Sequence, residues 1–228
     1  MLRLLILLNL LLSSIAPIAM QPAIIPETGQ DNLSGVHVDE QARVGSLAEF
    51  IPTVQNGNAS QIVGLYIKNA LALRVVQQPA SNPGFVSEEP DAVTQFAMAS
   101  RFGTIGLLAH NTAAGQHFSK IKDGMKITLV FGDGTVTNFR VRQIRQFQAL
   151  TPTSPYSNFK DLSAPEQVLS VESLFYQIYQ SNGSLVLQTC IEKEGELSWG
   201  RLFIIAEPIT SQMIYFIRPS HSQFAFTV

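Results

Sequence analysis

Apolar residues along this chain gather in short runs, not in one long helical stripe. Ile62–Ile67 and residues 70–76 are two such runs, split by Lys68-Asn69, a pattern that predicts two strands and a tight turn. Residues 77–90 hold Pro79, Pro83, Gly84 and Pro90 and read as a loop. In residues 91–100 the spacing of Ala92, Val93, Phe96, Ala97 and Met98 predicts a short helix capped by Asp91. A strand is predicted over 104–109. A hairpin is predicted from 125–131 and 135–143, which flank Gly132-Asp133-Gly134. Residues 151–165 read as a long polar loop and Val171–Tyr179 as a helix. Strands over 184–190 and 201–206 are joined by what reads as a charged loop. Many short strands with two or three helices predict a mainly β fold, a barrel or a sandwich.

The first residues have a different character. Arg3 is followed by the nearly pure apolar stretch from Leu4 to Leu12, and no charge appears again before Glu27. Residues 1–25 therefore read as a secretory signal peptide or an N-terminal membrane anchor, with an uncleaved anchor favoured. Either places the rest of the chain outside the cytoplasm. Residues 26–60 are rich in Gly, Asn, Gln, Ser and Glu and read as a linker or stalk, in part docked on the domain. Residues 61–228 form the domain. Of the 228 residues, 46% are hydrophobic and 14% charged, which excludes a disordered chain. A formal net charge of −2 leaves no basic excess to displace counterions from nucleic acid.

One cysteine is present, Cys190, so no intramolecular disulfide can form. It closes the run Leu185-Val186-Leu187-Gln188-Thr189-Cys190. Alternation puts it on one face with Val186 and Gln188. A lone cysteine is more often a small half-buried hydrophobe than a nucleophile. Its company changes the odds. Arg201 opens the next apolar run eleven residues later, and an antiparallel hairpin would bring the two side by side. An arginine there can hold a developing oxyanion; its ordinary reading is a cation at the start of an edge strand. His110 ends Gly106-Leu107-Leu108-Ala109-His110 and is followed by Asn111. His117, a rival, reads as the polar side of a short helical turn ending at Phe118, and His37 and His221 look incidental. The histidines share no helical face with paired acids, no G-x-S-x-G occurs, and no phosphate-binding glycine loop is present.

Taken together, Thr189-Cys190, Arg201 opening Leu202-Phe203-Ile204-Ile205, and Leu108-Ala109-His110-Asn111 resemble the sortases, cysteine transpeptidases of the bacterial cell surface. Their nucleophile motif is Thr-Leu-x-Thr-Cys, and Val186 stands here in place of the leading threonine. The resemblance spans residues 61–208. It implies a closed, mostly antiparallel β-barrel with short helices in its connections. It implies a nucleophile at Cys190, a proton carrier at His110 and an oxyanion partner at Arg201. Residues between Phe147 and Leu185 would roof the substrate groove, with Phe175 and Tyr179 in its wall unless they are core. The partners implied are a peptide sorting motif of surface proteins and an amine acceptor such as a cell-wall precursor or pilin. No cofactor is implied; some members are calcium-activated, but no residue here can be assigned to such a site.

Two other readings stand beside this one. The chain could be a non-catalytic surface-exposed β-barrel binding module with Cys190 as packing, or a sortase-like hydrolase without transfer activity. Ile25-Pro26-Glu27-Thr28-Gly29 also resembles the Leu-Pro-x-Thr-Gly signal that many sortases cut. A chance match in a linker is the plainer reading of it; the sharper one is a pseudo-substrate for the chain's own groove.

Overall fold

The computed structural model describes residues 45–180 and 183–209. The apolar N-terminus, the Ile25-Pro26-Glu27-Thr28-Gly29 motif, His37 and His221 lie outside the described residues. Among the described residues no helix is long and apolar enough to cross a membrane.

Among the described residues ten strands form one sheet: β1 (Ile62–Ile67), β2 (Leu71–Gln77), β3 (Ala92–Phe96), β4 (Ile105–Leu108), β5 (Lys126–Phe131), β6 (Val136–Ala149), β7 (Phe159–Asp161), β8 (Val168–Leu169), β9 (Leu185–Lys193) and β10 (Glu196–Pro208). Their order is β10-β9-β4-β3-β2-β1-β5-β6-β7-β8, and a further pairing of β10 with β6 closes eight of them into a ring. The β2–β3 and β4–β9 pairs are parallel and the rest antiparallel. This is the closed, mostly antiparallel barrel that the resemblance implied; the strand pattern alone had left barrel and sandwich open. Its short helices are α1 (Leu47–Val54), α2 (Ala97–Ser100) and α3 (Val171–Tyr179), with a 3-10 helix over Ala114–Lys120.

Strand alternation divides the apolar residues into two layers. Leu65, Leu73, Leu107, Leu129, Leu187, Leu202 and Ile204 fill the barrel. Phe96, Phe147, Phe159, Phe175, Tyr179, Val186 and Phe203 form a second cluster on the outer face, roofed by α3. Ser170 caps α3 by accepting from the Ser173 amide. Tyr179 is fully buried, and its hydroxyl donates to Gln188 Oε1 at 2.6 Å. Burial pushes this phenol well above its ordinary value, so it remains a donor. Phe175 and Tyr179 are therefore core, not groove wall.

Four sequence expectations are corrected. The helix predicted over 91–100 is mostly the strand β3; only Ala97–Ser100 is helical. Ala92, Val93, Thr94 and Phe96 are all buried, and a strand covered on both faces has no alternation to tell it from a helix. Asp91 caps nothing; its carboxylate accepts from Arg74 Nε at 3.2 Å. The polar loop 151–165 contains β7, pinned because Asp161 takes a 2.6 Å ion pair from Arg145 on β6. The charged loop before Arg201 is strand instead. Strands β9 and β10 run on to a turn at Glu194-Gly195, both with positive φ (55° and 85°).

The last part of the stretch read as linker is docked on the barrel. A capping box between Ser46 and Glu49 starts α1. Phe50 stacks on Tyr66 with ring centroids 6.0 Å apart. The helix lies close because Gly64 has no side chain; a Cβ there would stand 2.8 Å from the Phe50 ring.

Candidate active site

Strand β9 holds the nucleophile candidate. Cys190 is half-buried and lies within the strand, three residues before its end at Lys193. Leu185 and Leu187 point into the barrel and Val186 joins the outer cluster, so alternation puts Cys190 on the outer face. Its direct partner across the antiparallel ladder is Arg201. Directly opposed residues share a face, and Phe203, two residues past Arg201, belongs to that same outer cluster. The eleven-residue spacing thus does bring the two side chains together. A register shift between Glu196 and Gly200 absorbs the extra residues.

Arg201 does not face open solvent. It is 0% exposed, and Nη1 donates to the carbonyl oxygens of Ser198 at 3.0 Å and Gly200 at 2.8 Å. The Phe159 ring lies against the guanidinium at 5.8 Å, so β7 closes over it. Burial pulls the guanidinium below its ordinary value, while the Cys190 and Glu196 charges push it back up. An arginine stays protonated under any such shift, and this one places a positive charge in a low-dielectric site beside the thiol.

His110 lies two residues past Leu108, the last paired residue of β4. That strand runs parallel to β9 with Leu108 level with Gln188, and one more bond runs from the Ala109 amide to the Gln188 carbonyl at 3.1 Å. The paired ladder stops there, two residues short of His110 on one strand and of Cys190 on the other. His110 then turns away, its carbonyl accepting from the amides of Ala113 at 3.0 Å and Gly115 at 2.9 Å. His117 lies further along, on the 3-10 helix. Burial and then Lys120 hold its imidazole below the ordinary value.

A groove of about 320 Å³ runs beside Cys190, lined among others by Asn111, Gln116, Phe118, Ile144, Thr189 and Leu202. Neither His110 nor Arg201 borders it. Thr189 and Leu202 face the barrel side, so this groove opens at the barrel mouth, and Cys190 meets it at its edge. Arg201 and the Cys190 side chain share the outer face of the β9–β10 pair. Among the described residues no group of three or more His, Cys, Asp or Glu could hold a metal ion.

Several residues of the site were not found from sequence. Phe159 sits in a polar stretch and gives no signal of its own. Asn111 Nδ2 donates to the Leu197 carbonyl at 3.0 Å, a contact across the fold that no spacing announces. Gly115, after Ala113-Ala114, did carry a signal: a run of small residues marks a place where two pieces of backbone meet closely.

No family model matches the chain, and no curated protein sequence matches it. Solved structures do. Sortase C1 from Streptococcus suis aligns at 15% identity and a TM-score of 0.44, over 72% of this chain and 79% of that one. Sortase C-1 from Actinomyces oris aligns at 12% and 0.45, over 72% and 80%. Sortase A from Corynebacterium diphtheriae aligns at 12% and 0.44, over 67% of this chain and 62% of that one. The chain spans 66% of a sortase C1 of a GBS pilus island.

Proposed function

We propose that this chain is a cysteine acyltransferase of the sortase kind, working at a bacterial cell surface on peptide substrates. The observation that carries the reading is the direct cross-strand pairing of Cys190 with Arg201 on one face of the sheet. In this reading Cys190 passes its thiol proton to His110 and its sulfur attacks a peptide carbonyl, forming a C–S bond and an oxyanion beside the Arg201 guanidinium. His110 gives that proton to the departing amine as the C–N bond breaks, leaving a thioacyl enzyme. An incoming amine then attacks the thioester carbonyl; a new C–N bond forms, the C–S bond breaks, and the amine's proton passes by way of His110 to the Cys190 sulfur. Water in place of the amine makes the chain a peptidase. The Phe159 ring lies against the guanidinium from β7, on the same face as Cys190. The apolar N-terminus would hold the domain at the membrane, with surface proteins as donors and a cell-wall precursor or pilin amine as acceptor. Calcium activation has no assigned residues in this scheme.

A second reading has an observation of its own. Arg201 is fully buried and bonded to two carbonyls, as a structural arginine would be, and that suits a non-catalytic binding module. Thiol alkylation separates the two. A working nucleophile reacts fast with iodoacetamide at neutral pH, where a free thiol is only a few per cent thiolate. A peptide-library digest with and without an added amine then reads the chemistry by mass. Slow alkylation together with no cleaved or transferred peptide would leave the binding module as the answer.

A further inference from the structure

The segment that carries His110 is fastened to the hairpin carrying Cys190 and Arg201 at two points, one on each of its strands. Asn111 Nδ2 donates to the Leu197 carbonyl of β10 at 3.0 Å. Leu197 lies in the irregular stretch between Glu196 and Gly200, just before Arg201. Gly115 lies flat against β9. A Cβ at this position would stand 2.7 Å from the His110 carbonyl oxygen and 2.9 Å from its carbon, with Thr189 Oγ1 nearer still. The Gly115 amide meanwhile donates to that same His110 carbonyl at 2.9 Å. Glycine is used here for space. The Thr189 hydroxyl is buried with no hydrogen-bond partner among the described residues, so it could rotate out of the way of a methyl group. The His110 carbonyl could not, because moving it moves the histidine.

We infer that Asn111 and Gly115 are positioning residues that hold His110 at the end of β4, beside the strand that carries Cys190. Neither touches the reacting atoms. Asn111 fixes the near side of the His110 turn to β10, and Gly115 lets the far side close onto β9. The inference rests on the proposed His110–Cys190 partnership, since a histidine with no task needs no such placing. It predicts that loosening either point uncouples the imidazole from the thiol while both side chains remain present.

The test is the pH profile of Cys190 alkylation by iodoacetamide in the full-length chain, where this cysteine is the sole target. Wild type, His110→Gln, Asn111→Ala, Asn111→Gln and Gly115→Ala are compared between pH 5 and 10. The expected result is that Asn111→Ala and Gly115→Ala move the profile toward that of His110→Gln. Their rates near pH 7 fall toward those of a free thiol, by at most about thirtyfold, since a free thiol there is a few per cent thiolate. Asn111→Gln keeps an amide donor on a longer arm and recovers part of the loss. A glutamine variant no better than alanine counts against the hydrogen bond to Leu197. If wild type and His110→Gln give the same profile, the functional reading itself fails. If those two differ but Asn111→Ala and Gly115→Ala match wild type, the functional reading survives and the positioning inference is overturned. Should Gly115→Ala not fold, the two Asn111 variants decide the outcome alone.

Discussion

Arg201 stands directly opposite Cys190 on the outer face of the β9–β10 ladder, with the Phe159 ring closed over its guanidinium. A cation buried to this degree is as much part of the packing as of any chemistry. Two backbone carbonyls accept from it. Arg201→Ala should therefore destabilise the fold as well as impair turnover. Each lost hydrogen bond to this charged group costs about 1.5–3 kcal/mol, and urea unfolding of the variant checks the sum. Arg201→Lys keeps the charge but loses the planar fork, and should fall between wild type and alanine in stability. A midpoint unchanged in Arg201→Ala would show that the carbonyl contacts carry no weight.

Cys190→Ala should separate chemistry from stability. The side chain is half-buried at the edge of a groove, so its truncation removes little packing. Loss of less than about 1 kcal/mol is expected, with all thiol reactivity and all peptide turnover gone. Residual turnover in this variant would mean that the nucleophile is some other group.

Asp161 makes stability depend on pH. Burial pushes its carboxyl up, but bonds from the Ser163 hydroxyl and amide and the Arg145 guanidinium outweigh burial and hold it below its ordinary value of 3.8. A carboxyl whose folded value is depressed gives stability that is present above the unfolded value and is lost as pH falls through the folded one. The urea midpoint should therefore fall as pH drops below about 4. Asp161→Asn should be less stable at pH 6 and show a shallower acid slope. Equal slopes in the two proteins would place the acid-labile group elsewhere.

Docking of α1 can be tested without touching the site. An eight-residue helix is too short to persist alone in water, so Leu47–Val54 is helical because Phe50 and Val54 pack on Gly64. Gly64→Ala should raise hydrogen exchange and protease cutting across these residues and leave the barrel's own protection in place. Unchanged exchange in α1 would show that the helix tolerates the displacement.

The sequence was readable where local pattern and tertiary demand agree. Val171–Tyr179 was predicted with its true ends because Ser170 caps it and its apolar side meets one layer. The Cys190–Arg201 pairing was readable because a hairpin turns sequence spacing into register. The spacing gave the right pair for an incomplete reason, since it assumed a loop where the strands continue to Glu194-Gly195. Burial on both faces hid β3, and its apolar residues read equally well as helix. The cover over Arg201 was illegible because it comes from Phe159, distant in sequence and set in polar surroundings. The Asn111 contact to Leu197 was illegible for the same reason.

Closure of the sheet also decides how the protein can meet another extended chain. Of the ten described strands only β8, Val168–Leu169, lacks a neighbour on its second side. Closure therefore confines edge pairing to β8 and to stretches of strand that outrun their neighbours, such as the end of β9, which continues to Lys193 although its ladder with β4 stops at Gln188.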